Sequence, residues 1–303
     1  MPNPDPTTNV TVPSTQVVST AQRQQRGLTP NATMRRYLAA FRTPRGLVGL
    51  VILLALVLLA VLAPILYPGG YDQQSGDSFQ GPSGSHLFGT DELGRDIFIR
   101  TAFGLRMDLS IIVVAVPISL VVGTALGLVG ALSRIAGTFV QRVMDIILGF
   151  PGVVLGVCIV LIMGPGWPAL VVAIAVSGLP LFARQARAAL LEQSQREYVT
   201  AARTLGVGKG TILVRHILPN AVDPVLVNGA IFVVVAIFIE AGLSIIGLGI
   251  QPPEPSLGSL LNVGIRFIEQ APMYIIGPTL FLILLSMSFS LISDALNGTV
   301  NRK

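Results

Sequence analysis

Four stretches of this chain, residues 46–71, 109–133, 146–183 and 270–293, contain no Asp, Glu, Lys or Arg. A helix of about 20 apolar residues rises about 30 Å, the thickness of a bilayer's hydrocarbon core. A soluble domain has no use for several such runs in 303 residues. Apolar residues make up 52% and charged residues 12%, the latter roughly half the share found in soluble chains. The expected class is all-α, a polytopic membrane protein.

The same composition excludes other chemistries. Two histidines, His86 and His216, and one cysteine, Cys158, are poor material for a zinc site or an intrachain disulfide. Cys158 stands inside an apolar run and is expected to pack as a small hydrophobe. The net charge of +5 does not indicate nucleic acid, because the basic residues flank the apolar runs.

Six spans are expected. The first is Gly46–Leu66, ended by Pro68-Gly69-Gly70. The second lies between Asp108 and Arg134 and contains Pro117. The third and fourth share the stretch from Ile146 to Ala183 and are divided at Gly164-Pro165-Gly166-Trp167-Pro168, with Trp167 suited to the interface. The fifth is about Pro224–Gly247, with one acid, Glu240, and the sixth about Met273–Ser293. Pairs of small residues, Gly123 with Gly127 and Gly152 with Gly156, are spaced for close helix approach.

Lys and Arg set the orientation. With the N-terminus inside, sixteen fall on the cytoplasmic side, and four (Arg95, Arg100, Arg106 and Arg266) fall outside. Both termini are therefore expected in the cytoplasm. Residues 1–45, rich in Pro, Thr, Gln, Asn and Ser, read as a largely disordered tail with a helical tendency near Met34–Phe41. The membrane domain is expected over 46–295, with external loops 67–107 and 248–272, a cytoplasmic loop 184–220 and a cytoplasmic C-terminal tail 296–303.

The 184–220 loop carries the strongest signal. It opens as a continuation of the fourth helix. Tyr198, Ala201, Ala202 and Leu205 then fall at i, i+3, i+4 and i+7, one stripe of a short helix. Gly206 is suited to the left-handed cap that ends it. A second short helix is expected over Thr211–Ile217, before Leu218-Pro219 changes the chain's direction. A small-residue helix at a sharp turn fits a groove on another protein, and it fits equally an amphipathic connector on lipid headgroups.

Thr200-Ala201-Ala202, Gly206 and Leu218-Pro219 resemble the EAA loop of ABC-importer permeases, with Thr200 where glutamate is usual and His216 where isoleucine is usual. Phe88-Gly89-Thr90-Asp91-Glu92-Leu93-Gly94-Arg95-Asp96 with Gly104-Leu105-Arg106, and Glu240–Gly249 with Gln251-Pro252-Pro253 and Pro255-Ser256, resemble two further segments of the C-subunit type of dipeptide, oligopeptide and nickel permeases. Ile245 and Leu257 replace aromatics frequent there. The resemblance covers about Gly46–Ser293. It implies the type I ABC-importer permease fold in the plasma (inner) membrane, and partners in a homologous second permease, two ABC ATPase subunits and an extracytoplasmic substrate-binding protein. It also implies that Thr200, Ala201, Ala202, Leu205, Gly206, Val207, Gly208 and Lys209 form the helix that couples to the ATPase, and that transport proceeds by alternating access.

No cofactor is expected on this chain, ATP and Mg being used by the partner ATPases. Gly206-Val207-Gly208-Lys209-Gly210 lacks the Ser or Thr and the leading glycine of a phosphate loop. Glu240 reads either as a gate or subunit contact or as a satisfied packing acid, since an acid at mid-membrane costs roughly 2.5–3.5 kcal/mol. Leu93–Met107 reads as a helix on the outer interface, with Asp91, Arg95, Asp96 and Arg100 as an external docking segment or a membrane-surface patch. The rival classes are the same machine carrying nickel, glutathione or haem, and an ion-coupled secondary transporter. The latter would need buried ionisable groups, of which the sequence offers Glu240. A membrane enzyme lacks a nucleophile–base cluster.

Overall fold

The computed structural model describes residues 38–213 and 218–300. The tail over 1–37, His216 and most of the second short helix expected at Thr211–Ile217 lie outside the described residues. Among those described, about three quarters are helical, and the one β feature is an isolated bridge between Thr90 and Asp96.

The first helix, α1, is Pro44–Leu66, with Pro44 in its first turn and the Thr43 hydroxyl accepting from the Gly46 amide at 3.1 Å. The residues just before it are folded, not disordered: Ala40 is fully buried against Val227, Ile292, Ala295 and Leu296. The second helix, α2, is Ile97–Leu132, 36 residues long. The interfacial helix expected at Leu93–Met107 is therefore the first part of α2 and has no break from it. Asp96 provides the cap that starts it, its Oδ1 accepting from the Ile99 amide at 2.9 Å.

The third span is broken. Helices α3 (Arg134–Leu148) and α4 (Gly152–Met163) meet at 95°. Gly149 caps α3, and Pro151 disfavours a helical conformation at Phe150, so the charge-free run turns sharply here. At 12 residues α4 is about 18 Å long, well short of a bilayer. Cys158 on α4 is exposed, not packed in the core.

After Gly164–Gly166 the chain enters α5, Trp167–Ser194. The Trp167 indole donates to Ser110 Oγ at 2.9 Å, fixing the start of α5 to α2. Helix α6 is Glu197–Thr204, followed by a single turn at Lys209–Thr211. Then come α7 (Leu218–Ile245), α8 (Leu257–Gly264, extended by a 3₁₀ turn to Phe267) and α9 (Met273–Val300). The loop expected at 248–272 thus contains a buried helix, and the tail expected at 296–303 is helical to Val300. Among the described residues five helices are long and apolar enough to span a membrane, and the bent pair α3–α4, taken as one span, supplies the sixth.

Helices α2 and α5 share the largest interface. A side chain at Gly123 would meet Phe182 Cβ at 2.8 Å and the Leu179 carbonyl at 2.9 Å, and one at Gly127 would strike the Ala183 backbone. The second small pair places α4 on α7, with Gly156 under Leu243 and Gly152 under Ile239. A core of Leu105, Ile111, Leu170, Ile174, Phe182, Ala236, Leu243 and Leu285 lies where α2, α5, α7 and α9 meet.

Helix alternation gives the bundle two ends. Residues 67–96, 164–166 and 246–272 lie at one, called the loop end. Residues 195–213, with α6, lie at the other, called the elbow end.

Candidate coupling elbow and a buried carboxyl pair

Helix α5 continues past the apolar run to Ser194, carried by Ala186, Ala189 and Leu190, and a tight turn joins it to α6. Arg196 bridges back to Glu192 at 2.8 Å, and the Tyr198 hydroxyl donates to Gln193 Oε1 at 2.9 Å. Glu197 in the first turn and Arg203 in the last complement the dipole of α6. The helix closes with two bonds, Gly206 N–H to the Arg203 carbonyl at 3.0 Å and Val207 N–H to the Ala202 carbonyl at 3.1 Å, around Gly206 at φ +77°. This is the Schellman arrangement, and it needs the left-handed conformation that glycine adopts without strain.

Two faces result. Val199, 0% exposed, packs with Leu190, Ile212 and Leu213, and Ala202 and Val207 lean on the same cluster. Tyr198 (39% exposed), Thr200, Ala201 and Leu205 (83% exposed) face outward, as does the turn at Gly206 and Gly208. The stripe read from sequence is therefore divided: Ala202 belongs to the anchoring face with Val199, a residue the reading missed. Val199 was legible as the large apolar residue three positions before Ala202. The side chain of Lys209 lies outside what is described. Residues 206–210 form a helix cap and a turn, not the strand-to-helix loop that holds phosphates.

At the loop end, Asp91, Arg95, Asp96 and Arg100 do not present a docking surface. Asp91, Arg95 and Arg100 are buried. Arg95 Nε donates to Asp91 Oδ2 at 2.7 Å, and its other nitrogens reach Asp72 at 3.0 Å and Glu92 at 3.3 Å. Asp91 Oδ1 accepts from the amides of Leu93 and Arg95, both at 2.9 Å. Arg100 approaches Asp91 at 3.6 Å, and Asp96 Oδ2 lies 2.8 Å from His86 Nδ1. Burial alone would lower the Arg95 pKa, but its bonds to Asp72 and Asp91 outweigh that and raise it above the usual guanidinium value. The motif is a charge knot that folds 67–96 onto the start of α2.

Glu240 is 1% exposed, as an acid inside a span should be. Its Oε1 accepts from Ser244 Oγ at 2.7 Å, while Oε2 has no hydrogen-bond partner among the described residues. It is thus only half satisfied. On α2, Asp108 is 2% exposed, and it meets the same segment as Glu240: the start of α8, which Asp108 reaches through the Leu257 amide and Glu240 through Ser244 and Ser256. Asp108 Oδ2 accepts from the Leu257 amide at 3.3 Å, and Oδ1 has no partner. In the sequence, Asp108 stands at the boundary of the second charge-free interval. It lies inside α2, and nothing short of the helix packing reveals its burial.

The fold agrees with known proteins. The family model for the binding-protein-dependent transport system inner membrane component matches residues 123–303, and one for the N-terminal membrane domain of oligopeptide transport permease C matches 38–82. The chain belongs to this permease family. It is 36% identical to the dipeptide transport system permease protein DppC of Alkalihalophilus pseudofirmus, covering 85% of this chain and 86% of that one. It is 36% identical to the di/tripeptide permease DppC of Pseudomonas aeruginosa (89% and 92%) and 37% identical to the glutathione permease GsiD of Pectobacterium atrosepticum (84% and 85%). Among solved structures, a chain of the MetNI methionine ABC transporter in an inward-facing form aligns with TM-score 0.56 at 20% identity, over 67% of this permease and 97% of that chain. An amino acid ABC transporter aligns with TM-score 0.53 at 22% identity, over 65% and 91%. Both share its fold. It is a multi-pass inner-membrane transport subunit of the ABC-importer class.

Proposed function

We propose that this permease forms half of the path by which di- and oligopeptides enter the cell, receiving them from an extracytoplasmic binding protein. A homologous second permease forms the other half, and two ATPase subunits drive alternating access. Peptide cargo is supported by the relatives named for dipeptide and di/tripeptide transport. Glutathione is the second reading, supported by the glutathione-permease relative. The excess of Lys and Arg beside the elbow end supports placing that end, with both termini, in the cytoplasm.

The observation that carries the mechanism is the two-faced elbow. Val199 ties α6 to the end of α5, and Tyr198, Ala201 and Leu205 are left outward, a small-residue face suited to a cleft on an ATPase. Motion of the ATPase would pass through Val199 into α5, and from there into α2 across Gly123 and Gly127.

The test is Ala201→Trp and Leu205→Asp in the assembled transporter. Overfilling a packed contact costs about 1–3 kcal/mol, so ATPase association should weaken about tenfold and uptake should be lost, while the permease still inserts. Unchanged uptake and ATPase recovery would remove the elbow from the mechanism. With ATP maintained, collapse of the proton gradient should leave uptake intact, and loss of uptake would favour an ion-coupled transporter.

A further inference from the structure

Asp108 and Glu240 share a small polar enclosure built by three helices. Asp108 comes from α2, Glu240 and Ser244 from α7, and Ser256 with the Leu257 amide from the start of α8. Ser256 Oγ lies 3.4 Å from Ser244 Oγ, and Ser256 also makes the capping box that begins α8, exchanging bonds with Ser259 at 2.8 and 3.0 Å. Gly104 lets α2 lie against the Ser256–Leu257 backbone.

Among the described residues no cation balances the two acids. Arg100 is eight residues away on α2, about 12 Å along the axis, and is directed to Asp72 and Asp91. Arg106 is exposed. Helix α8 and the loop-end half of α5 carry no ionisable residue, and α4 contributes the exposed thiol of Cys158. Tyr274 on α9 is buried beside Arg100, and Glu254 and Arg266, flanking α8, are exposed.

Two carboxylates buried in one enclosure and both ionised repel each other and lose their hydration together. Each also retains one oxygen without a donor. A single proton resolves both problems, because it removes one charge and converts one of the two orphaned acceptors into a donor.

We propose that Asp108 and Glu240 constitute a proton-binding site at the loop-end half of the bundle, holding one proton that relieves the repulsion between them and keeps α2, α7 and the start of α8 together. Loss of that proton places two like charges between α2 and α7 and undoes the fastening, so closure at this end responds to pH. The site is independent of cargo and of the elbow, and it stands or falls separately from the transport reading.

The experiment uses the full-length permease in lipid membranes and in detergent. Infrared spectroscopy at neutral pH should show the carbonyl stretch of a protonated carboxylic acid in the wild type, and Asp108→Asn/Glu240→Gln should remove it. Thermal unfolding supplies the second readout. The folded chain keeps a proton that the unfolded chain releases above the ordinary carboxylate range, so stability should fall as pH rises, by about tenfold in the folding constant per pH unit per proton. The double amide should flatten that component. Where the double variant fails to fold, Glu240→Gln alone serves, since one amide replaces the protonated acid. A wild type without the acid band, a band unchanged in the double amide, or equal pH slopes would overturn the proposal. So would a sodium or calcium salt that stabilises the wild type and not the amide variant, which would make the pair a cation site.

Discussion

Val199→Ala isolates the anchoring of the elbow from its outward face. Val199 is fully buried among Leu190, Ile212 and Leu213, and the change removes two methyl groups without touching Tyr198, Ala201 or Leu205. At about 0.8 kcal/mol per buried methylene-sized group the transfer loss is about 1.6 kcal/mol, and incomplete collapse of the void adds to it. A total of about 2 kcal/mol corresponds to about a thirtyfold shift toward an elbow detached from α5. Amide hydrogen exchange is the direct assay. Protection over Glu197–Thr204 should fall by that factor, while α2 and the apolar part of α5 keep theirs. In the assembled transporter the ATPase should still bind, because the outward face is intact, and ATP hydrolysis should continue while uptake drops. Unchanged exchange over α6, or equal loss of hydrolysis and uptake, would refute the assignment of Val199 as the mechanical joint.

Two other perturbations test the frame. Gly127→Ala puts a methyl group into the Ala183 backbone, where no flexible side chain is available to yield; a cost of about 1–3 kcal/mol is expected, measured as a lower unfolding midpoint, with Gly298→Ala, whose Cβ meets nothing within 4 Å, as the silent control. Arg95→Met leaves Asp91 buried without its strongest partner, and breaking such a pair costs about 3–5 kcal/mol. Limited proteolysis should then open residues 67–96, and an undisturbed loop would contradict the charge knot.

The spans and the elbow were readable because their signals are local. Charge-free length marks a membrane helix, and the order Ala201-Ala202, Gly206, Leu218-Pro219 marks a short helix, its cap and a redirection. What escaped depends on packing. Pro64, Pro117, Pro180, Pro224 and Pro278 all lie within helices, so Pro151 did not stand out, although Gly149 beside it ends α3 and allows the bend. The charged residues of 91–100 looked like surface because charges usually are; their burial follows from Asp72, some twenty residues earlier, folding back onto them. Asp108 was hidden in a similar way. A charge at the end of an apolar interval reads as the water boundary, and its enclosure becomes visible only once α7 and α8 are set against α2.

The unbroken length of α5 has a consequence for how force travels. With 28 residues it is a strut about 42 Å long, and its seam with α2 leaves no room for the two to slide. A tilt of about 10° imposed at Ser194 would sweep the Trp167 tip through about 7 Å, comparable to the girth of an extended peptide. The subunit therefore needs no large deformation to admit or release a passenger; a modest swing of one stiff pole, amplified by its own reach, is enough.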